Sequence, residues 1–356
     1  MASITDVARL AGVSPATVSR VVSAAPYAVS DATRARVLEA AATLDYVPNA
    51  LARGLLKSYI PVVGVIVHDI TDPYFSEIVR GVEDAATPDG FLVITCSSDR
   101  NGARENAYVR LLRSMRAATI IFAGSGLDDP VVNNEMGRHV AAVRDYGAAV
   151  VHLSPHAFGK ADIGVDNAGG IASMVAELVR LGHRQIAFLA GPSSLFVGRE
   201  RLDGYRRGLA DAAIPFDERL VVSTGFNREG GALGIDALLA GTARFTAVCA
   251  ANDLLALGAL QRLAELGVTV PEQVSVAGFD DIQTAAMATP PLSTVRLPLH
   301  EIGRRGFEYA ERQLAGVSVT SEMLPTELVM RGSTAPPPAS PLPGPAKLRD
   351  APAGAA

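Results

Sequence analysis

The chain has 356 residues, of which 49% are hydrophobic and 19% are charged, so it is long enough for two or three compact units with large cores. Its net charge of −5 argues against binding a polyanion through overall charge alone. The longest obvious apolar run, Ile60–Val67, has the length of a strand and not of a membrane span. The two cysteines, Cys96 and Cys249, are too few for a disulfide framework and have no metal-ligand spacing. Because the amino terminus also lacks the features of a secretory signal, we expect a cytoplasmic protein without a metal site.

Residues 4–23 indicate two short helices joined by a tight turn. Gly12 allows the left-handed conformation that ends a helix, and Ser14 with Pro15 can cap and begin the next one. The apolar side chains expected on the inner faces are Val7, Ala8, Leu10, Ala11, Val18, Val21 and Val22. This arrangement predicts a helix-turn-helix, whose second helix enters the major groove of DNA. An ordinary helical hairpin would show the same spacing.

The outer face of the second helix carries the predicted DNA contacts. Arg20 is the best equipped of them, because its planar fork matches guanine O6 and N7 or a phosphate. The predicted contacts in the head are Thr5, Ser14, Pro15, Ala16, Thr17, Ser19 and Arg20. A third helix over residues 30–44, capped by Ser30, would complete a small core with Val37, Leu38, Ala41 and Leu44.

Residues 49–56 are predicted to form a short helix that is frayed in the absence of DNA. Pro48 ends the preceding helix and Asn49 can cap a new one, but so short a helix is unstable in water without tertiary support. A plain linker with one buried leucine is the alternative. Residues 1–57 contain six basic and four acidic residues, so DNA affinity must come from two weakly positive heads acting together.

From residue 62 onward, strands alternate with helices. The first series has strands at 62–67, 91–95, 119–123 and 150–153, with helices at 74–86, 103–115 and 131–146. The second series has strands at 163–165, 186–190, 220–223, 247–250 and 274–277, with helices at 170–181, 200–212, 229–240 and 254–266. Alternation of this kind predicts parallel sheets, and two series predict two lobes. Ligands favour the crevice at the carboxyl ends of such strands.

Two groups of motifs stand out along the chain. The head contains Asp6-Val7-Ala8, Ala11-Gly12-Val13-Ser14, Thr17-Val18-Ser19-Arg20-Val21, Tyr46-Val47-Pro48-Asn49 and Ala52-Arg53-Gly54-Leu55. The core contains Asp72-Pro73-Tyr74-Phe75, Asp166-Asn167, Leu181-Gly182-His183-Arg184-Gln185-Ile186-Ala187, Arg201-Leu202-Asp203-Gly204-Tyr205, Asn252-Asp253, Gly278-Phe279-Asp280-Asp281 and Pro291-Leu292-Ser293-Thr294-Val295. In combination these motifs resemble those of LacI/GalR family transcriptional regulators, from about residue 3 to Thr334. The resemblance implies an α-helical helix-turn-helix head and an α/β core of two doubly wound parallel-sheet lobes with the type I periplasmic-binding-protein-like architecture.

The resemblance divides the chain into four parts. These are a helix-turn-helix DNA-binding domain at residues 1–48, a hinge helix and linker at 49–61, an effector-binding and dimerising core at 62–334, and a Pro/Ala-rich tail at 335–356. One lobe would comprise 62–161 with about 295–321, and the other 162–294 with about 322–334. The chain would cross between the lobes near Asp162, Thr294 and Glu322. The composition of the tail predicts disorder.

Further site residues follow from the resemblance. In the family the hinge helix orders on the operator and wedges a leucine between base pairs, and the implied positions here are Asn49, Ala52, Arg53 and, as the wedge, Leu55. Arg201 and Asp280 match residues that hold polar groups of the effector, and we expect them on opposite walls of the cleft. Apolar or stacking contacts are implied for Tyr74, Phe75 and Phe226, and polar contacts for Ser125, Asp162 and Asp253.

The chain departs from the family pattern at Ala118-Thr119, Leu153-Ser154-Pro155 and Glu177. The loss of an acidic group at Ser154 puts a standard sugar contact in doubt. The chain has no tryptophan, so stacking on an effector must use phenylalanine or tyrosine. His183 is expected to hold a turn between a helix and a strand, and not to act as a base or ligand.

The sequence therefore favours a dimeric, ligand-responsive DNA-binding regulator, and repression over activation. Its expected partners are an inverted-repeat operator in double-stranded DNA, a sugar or related metabolite as effector, and a second copy of the chain, with a higher oligomer left open and no membrane. No motif for a catalytic, metal or nucleotide-cofactor site is found, so no enzymatic activity and no cofactor are expected. A solute-binding or sensing protein without a gene-regulatory role is the alternative, because it would share the core.

Overall fold

The computed structural model describes residues 2–22, 29–46, 59–157 and 161–339. The predicted hinge helix lies outside the described residues, and so do its implied DNA contacts Asn49, Ala52, Arg53 and Leu55. Residues 340–356 of the predicted tail also lie outside them. In the part of the chain that is described, no helix combines the length and the apolar character needed to cross a membrane.

Three helices form the amino-terminal head: α1 Ile4–Ala11, α2 Pro15–Val22 and α3 Asp31–Thr43. Gly12 ends α1 with a φ of 65°, as predicted. The buried side chains are Val7, Ala8, Ala11, Val18, Val21, Val37 and Ala40. Leu10 and Leu38 were expected in this core but are 54% and 51% exposed, because a three-helix head covers only one face of each helix.

The first lobe is built on a parallel sheet in the order β2-β1-β3-β4. Its strands are β1 Ile60–Val67, β2 Leu92–Ser97, β3 Ala117–Phe122 and β4 Ala149–His152. The helices between them are α4 Pro73–Ala86, α5 Gly102–Ser114 and α6 Pro130–Arg144. Both central strands are almost entirely apolar, with Thr119 as the polar residue of β3, because helices cover both faces of the sheet.

The second lobe repeats this plan with a parallel sheet in the order β7-β6-β8-β9. Its strands are β6 Ile186–Ala190, β7 Val221–Ser223, β8 Ala247–Ala250 and β9 Ser275–Ala277. Its helices are α7 Asn167–Arg180, α8 Phe196–Asp211, α9 Arg228–Ala240, α10 Asp253–Glu265 and α11 Gln283–Met287, with a 3-10 turn at Glu218–Leu220. The predicted alternation of strands and helices is therefore present in both lobes.

Short strands and one long helix connect the lobes. β5 Ile163–Val165 pairs in parallel with β11 Glu322–Leu324, and β10 Thr294–Arg296 pairs antiparallel with β12 Glu327–Val329. The helix α12 Leu299–Leu314 lies between β10 and β11 and packs on α4 of the first lobe. The two helices approach closely at Gly81 and Gly303, where a Cβ atom would lie 2.0 Å from a backbone oxygen of the other helix.

The beginning of the predicted disordered tail is bound to the second lobe. The Ala335 oxygen lies 2.9 Å from His183 Nε2 and accepts a hydrogen bond from the Ser275 hydroxyl at 3.1 Å, and the Ala335 N–H donates to the same hydroxyl oxygen at 3.0 Å. The prediction that disorder begins at Ala335 is therefore wrong, because these bonds fix its backbone. His183 is fully buried, and its Nδ1 lies 2.8 Å from Thr246 Oγ1. It holds the turn between α7 and β6, as predicted.

Candidate functional site

A cavity with about 410 Å³ of empty space, partly open to solvent, lies between the two lobes. It is formed at the carboxyl ends of the parallel strands, where α/β folds bind ligands. The first lobe contributes His68, Asp72, Tyr74, Phe75, Arg100, Ala123, Gly124, Ser125 and Ser154. The second lobe contributes Leu195, Val197, Arg201, Phe226, Asn252 and Asp280. The structure thus brings together the predicted effector residues Tyr74, Phe75, Ser125, Arg201, Phe226 and Asp280.

The second-lobe wall is organised around a buried ion pair. Arg201 Nη2 lies 3.1 Å from Asp280 Oδ1, and both side chains are about 95% buried. The guanidinium also donates from Nε to Asn167 Oδ1 at 3.1 Å and from Nη1 to the Ala251 oxygen at 2.6 Å. Burial raises the pKa of the Asp280 carboxyl, and Arg201 opposes that shift. The expectation that these two residues face each other across the cleft is wrong, because they are paired on one wall.

Two aromatic rings lie close to the guanidinium of Arg201 in this wall. The Arg201 guanidinium carbon lies 4.1 Å from the centre of the Phe279 ring, within the range of a cation–π contact, and 5.9 Å from that of Phe226. Phe226 also fills the space above Gly191, where a Cβ atom would lie 2.0 Å from the ring. A flat apolar surface therefore stands next to a charged hydrogen-bonding edge.

The first-lobe wall begins at the amino terminus of α4. Asp72 caps this helix by accepting a hydrogen bond from the Tyr74 N–H at 3.0 Å, and burial raises the pKa of its carboxyl. Phe75 packs edge-to-face on Tyr74 and on His68, with ring centres 4.9 and 5.6 Å apart. Burial raises the pKa of Tyr74 to about 12 and lowers the pKa of His68 to about 3. The tyrosine is therefore a hydrogen-bond donor and the histidine is neutral at physiological pH.

The two lobes touch directly along one side of the cavity. We call this contact the interlobe strap, formed by residues 125–128 of the first lobe and 194–199 of the second. Ser125 Oγ accepts a hydrogen bond from the Val197 N–H at 3.1 Å, and the Asp128 N–H donates to the backbone of residue 194 at 2.8 Å. Arg199 Nη1 forms an ion pair with Asp128 Oδ2 at 2.6 Å. The strap therefore joins three cavity-lining residues, Ser125, Leu195 and Val197, to a salt bridge between the lobes.

Two predicted effector residues do not line the cavity. Asp162 is held in the first lobe, where its Oδ2 accepts from the His152 N–H at 2.8 Å and its Oδ1 accepts from the Tyr309 hydroxyl at 3.2 Å. Asp253 is fully buried and accepts from the Thr294 hydroxyl at 2.6 Å and from a backbone N–H at 2.9 Å. Both carboxylates are engaged by their own lobes, so we correct their assignment from effector contacts to structural residues.

Sequence reasoning did not assign several residues that line the cavity to the effector site. They are His68, Asp72, Arg100, Ser154, Leu195, Val197 and Asn252. Each lies within seven residues after the end of β1, β2, β4, β6 or β8. The signal that would have found them is therefore position after a strand, applied to every strand of both lobes.

The head presents its predicted DNA contacts on one exposed side. Ser14 caps α2, since its hydroxyl accepts from the Thr17 N–H at 3.2 Å and lies 2.9 Å from the Thr17 hydroxyl. The exposed members of the predicted set are Thr5, Ser14, Pro15, Ala16 and Arg20, and the half-buried members are Thr17 and Ser19. Short polar groups near a helix start, beside an arginine, suit contact with phosphates and base edges.

Comparison with known proteins agrees with this arrangement. Residues 3–49 match the family described as "Bacterial regulatory proteins, lacI family", and residues 175–334 match "Periplasmic binding protein-like domain". The HTH-type transcriptional repressor PurR of Vibrio atlanticus is 34% identical over 310 residues, which are 86% of this chain and 90% of that protein. The HTH-type transcriptional repressor CytR of Escherichia coli is 33% identical over 336 residues, which are 94% of this chain and 96% of that protein.

A crystal structure of the Lac repressor dimer, bound to operator and the anti-inducer ONPF, has a TM-score of 0.81 to this protein. It is 28% identical, and the match covers 94% of this chain and 99% of that one. The predicted fold class, a helix-turn-helix head with an α/β core of parallel sheets, is thereby confirmed. The match includes the head, so a solute-binding protein without a gene-regulatory role is disfavoured. The chain therefore belongs to the lacI family of bacterial regulatory proteins and is a DNA-binding transcriptional regulator.

Proposed function

We propose that this regulator is a cytoplasmic repressor that binds an inverted-repeat operator as a homodimer, and that a small-molecule effector in the interlobe cavity changes its operator affinity. The observation that carries this proposal is the presence, in one chain, of a helix-turn-helix head and a cavity walled by both lobes. No catalytic step is part of the proposed function.

On the DNA side, α2 is proposed to enter the major groove and to read it chiefly through Arg20. The hinge at residues 49–61 is proposed to order on the operator, with Leu55 as the wedge and Asn49, Ala52 and Arg53 beside it. Two-fold symmetry of the dimer requires half-sites about one helical turn apart, so that both heads reach the same face of the duplex. An easily kinked base step is expected at the centre of the operator.

On the effector side, the cavity joins two lobes whose arrangement a ligand can bias. A ligand that contacts Tyr74 in the first lobe and Arg201 in the second favours one distance between the lobes. The core at residues 62–334 carries that bias to the hinge and so to the spacing of the two heads. A tenfold shift in the operator-bound population needs only about 1.4 kcal/mol of differential affinity, which one charge-assisted hydrogen bond can supply.

The polar and aromatic lining of the cavity suits a sugar or a related metabolite. The paired donors of Arg201 and the carboxylate of Asp280 suit a ligand with neighbouring hydroxyl or amine groups. The Phe226 ring offers a surface for stacking, as expected for a chain without tryptophan.

Selection from random DNA duplexes with the full-length protein tests the first half of this proposal. The expected result is an inverted repeat. A directly repeated or asymmetric consensus would contradict the proposed symmetric dimer. Titration of the operator complex with small metabolites tests the second half. At least one metabolite should change operator affinity and should raise the melting temperature of the protein by mass action. If operator binding responds to none of them, the effector half of the proposal fails.

A further inference from the structure

Arg100 lies three residues after β2 and lines the cavity from the first lobe. Asp99 and Arg100 both have left-handed backbone conformations, with φ angles of 53° and 58°. Non-glycine residues adopt this conformation rarely, and aspartate tolerates it better than arginine. The turn is held by the Asp99 N–H, which donates to the His68 oxygen at 2.7 Å. Because strained backbone conformations are concentrated at functional sites, the side chain of Arg100 is a candidate ligand contact.

The guanidinium of Arg100 is without a partner among the residues that the structure describes. Its Nε is buried with no hydrogen-bond acceptor, and no described carboxylate oxygen lies within the 4.0 Å of an ion pair. An arginine side chain remains charged at any physiological pH, and the guanidinium of this half-buried residue is therefore a charge that a ligand can pair with. Burial lowers the pKa of Arg100, while Asp72, Asp69 and Asp99 oppose that shift from a distance.

Each of these three carboxylates is engaged elsewhere. Asp69 accepts hydrogen bonds from the backbone and hydroxyl of the threonine two residues later, at 2.9 and 2.7 Å. Asp72 caps α4. Asp99 forms an ion pair with Arg104. The nearby acidic groups therefore stabilise local turns and a helix start, and the guanidinium of Arg100 remains available to a ligand in the cavity.

The other charged groups of the cavity do not offer a competing anion site. Arg201 is already paired with Asp280, and His68 is neutral because it is buried. Among the described residues, Arg100 is thus the positively charged residue of the cavity wall that has no partner. Guanidinium groups bind carboxylates and phosphates through two parallel hydrogen bonds, which are stronger than bonds between neutral groups.

We propose that the effector carries a carboxylate or phosphate group that binds Arg100, while its neutral part contacts the Arg201–Asp280 pair. This inference rests on the proposed function, because it names the chemical class of the ligand for the same cavity. It also predicts the orientation of the ligand, with the anionic end towards the first lobe. Ligand charge would then decide which metabolites the regulator senses.

The test compares Arg100→Gln with a matched control in the full-length protein. Arg104→Gln is the control, since it removes the same charge four residues later, at a half-exposed site that does not line the cavity. The probes are inorganic phosphate and two ligand sets: glucose with glucose 6-phosphate and glucuronate, and ribose with ribose 5-phosphate. Melting temperatures and calorimetric Kd values are measured at constant ionic strength. The phosphorylated and carboxylated members distinguish the two anionic groups.

The anionic probes should stabilise the wild type and Arg104→Gln and should bind Arg100→Gln about tenfold more weakly or worse. Asp72→Asn gives a change of opposite sign. Asparagine can still cap α4 but lacks the negative charge that also lines the cavity, so anion binding should become tighter. Without ligand, Arg100→Gln should melt close to the wild-type temperature, because the half-buried guanidinium has no hydrogen bond or ion pair among the described residues.

Three outcomes would overturn this inference. They are equal anion binding by the Arg100 and Arg104 variants, equal stabilisation by the charged and neutral members of each set, and no stabilisation by any anionic probe. Operator affinity, measured with the same ligands, separates this failure from that of the proposed function. A neutral ligand that alters operator binding would overturn the anionic class and leave the proposed function standing. Anion binding at Arg100 without any effect on operator affinity would count against the proposed function instead.

Discussion

Two arginines face the same cavity from opposite lobes, and their surroundings differ. Arg201 is 4% exposed, and its guanidinium bonds to Asn167, to a backbone oxygen and to Asp280. The buried Nε of Arg100 has no such partner among the described residues. The second lobe therefore supplies a wall whose geometry is fixed before a ligand binds. The first lobe supplies a positive charge, on Arg100, that gains a partner only when a ligand binds.

The largest expected effect separates the two arginines by stability. Arg201→Ala leaves the Asp280 carboxylate buried without its ion-pair partner, which should cost about 3–5 kcal/mol of unfolding free energy. Arg100→Gln should cost almost nothing, because no bond is lost. Urea unfolding of the two variants measures the difference. A double variant, Arg201→Met with Asp280→Asn, removes both buried charges and should recover part of the loss. Equal stabilities of the two single variants would show that the walls do not differ as described.

The pairing of Arg201 with Asp280 shows what the sequence could and could not reveal. The position of Asp280 after a strand was predictable, because apolar runs locate the strand ends, whereas Arg201 lies within α8, eleven residues after the end of β6. Their direct contact was not predictable, since 79 residues separate them and periodicity carries no information about which segments of a lobe lie side by side. The same reason explains Asn252 and Asp253, which are adjacent at the start of α10. Only the structure shows that the first lines the cavity and the second points into the lobe.

Arg100 was missed for a different physical reason. A lone arginine in a polar segment is usually exposed to solvent, so the sequence pattern offered no reason to place it in a cavity. A left-handed backbone conformation at a non-glycine residue cannot be predicted from the sequence pattern. The burial of its Nε depends on tertiary contacts that local patterns do not encode. By contrast, the head was predicted almost fully from caps and apolar spacing, apart from Leu10 and Leu38. In three short helices around a single core, local sequence signals determine most of the structure and long-range contacts determine little of it.

A second prediction concerns a titratable group behind the first-lobe wall. Glu105 is 7% exposed, accepts a hydrogen bond from the Ser98 hydroxyl at 2.9 Å, and lies 3.7 Å from His68 Nε2. Burial raises the pKa of Glu105 from 4.5 to about 7. The folded protein therefore keeps a proton that the unfolded chain releases, and this contribution to stability is lost as pH rises from about 4.5 through 7.

Glu105→Gln should remove this loss, because glutamine does not titrate. Between pH 5 and pH 8, the free energy of unfolding of the variant should rise by about 2–3 kcal/mol relative to that of the wild type. Urea unfolding at both pH values measures the change. The buried histidines contribute a pH dependence of opposite sign, but both proteins contain them, so the difference isolates Glu105. Parallel pH profiles of the wild type and the variant would show that the first-lobe wall does not titrate in this range.

A third arginine extends the comparison to the head. Arg20 lies on the exposed side of α2, and Arg20→Ala should weaken operator binding by about 1–3 kcal/mol per head if it contacts guanine. Arg9→Ala is the control, because Arg9 is exposed on α1 and pairs with Asp6 at 3.2 Å within that helix. Binding to the selected operator and to mutated half-sites measures affinity and specificity. Equal losses for the two variants would indicate that charge alone, and not base readout, accounts for the effect.

The smallest expected effect tests how the two walls communicate through the interlobe strap. Arg199 and Asp128 form an ion pair between the lobes, but their side chains are 40% and 51% exposed. Such a pair contributes at most about 1 kcal/mol to stability, so Arg199→Ala should fold normally and bind operator as before. If the effector favours the arrangement that the strap holds, the variant should need about two- to threefold more effector for half of the operator response. Arg206→Ala is the matched control, since Arg206 lies on the same helix, forms its ion pair with Asp203 within that helix and stacks on Phe216 of the same lobe. An unchanged midpoint in Arg199→Ala, or the same shift in both variants, would mean that the strap plays no part in coupling the lobes.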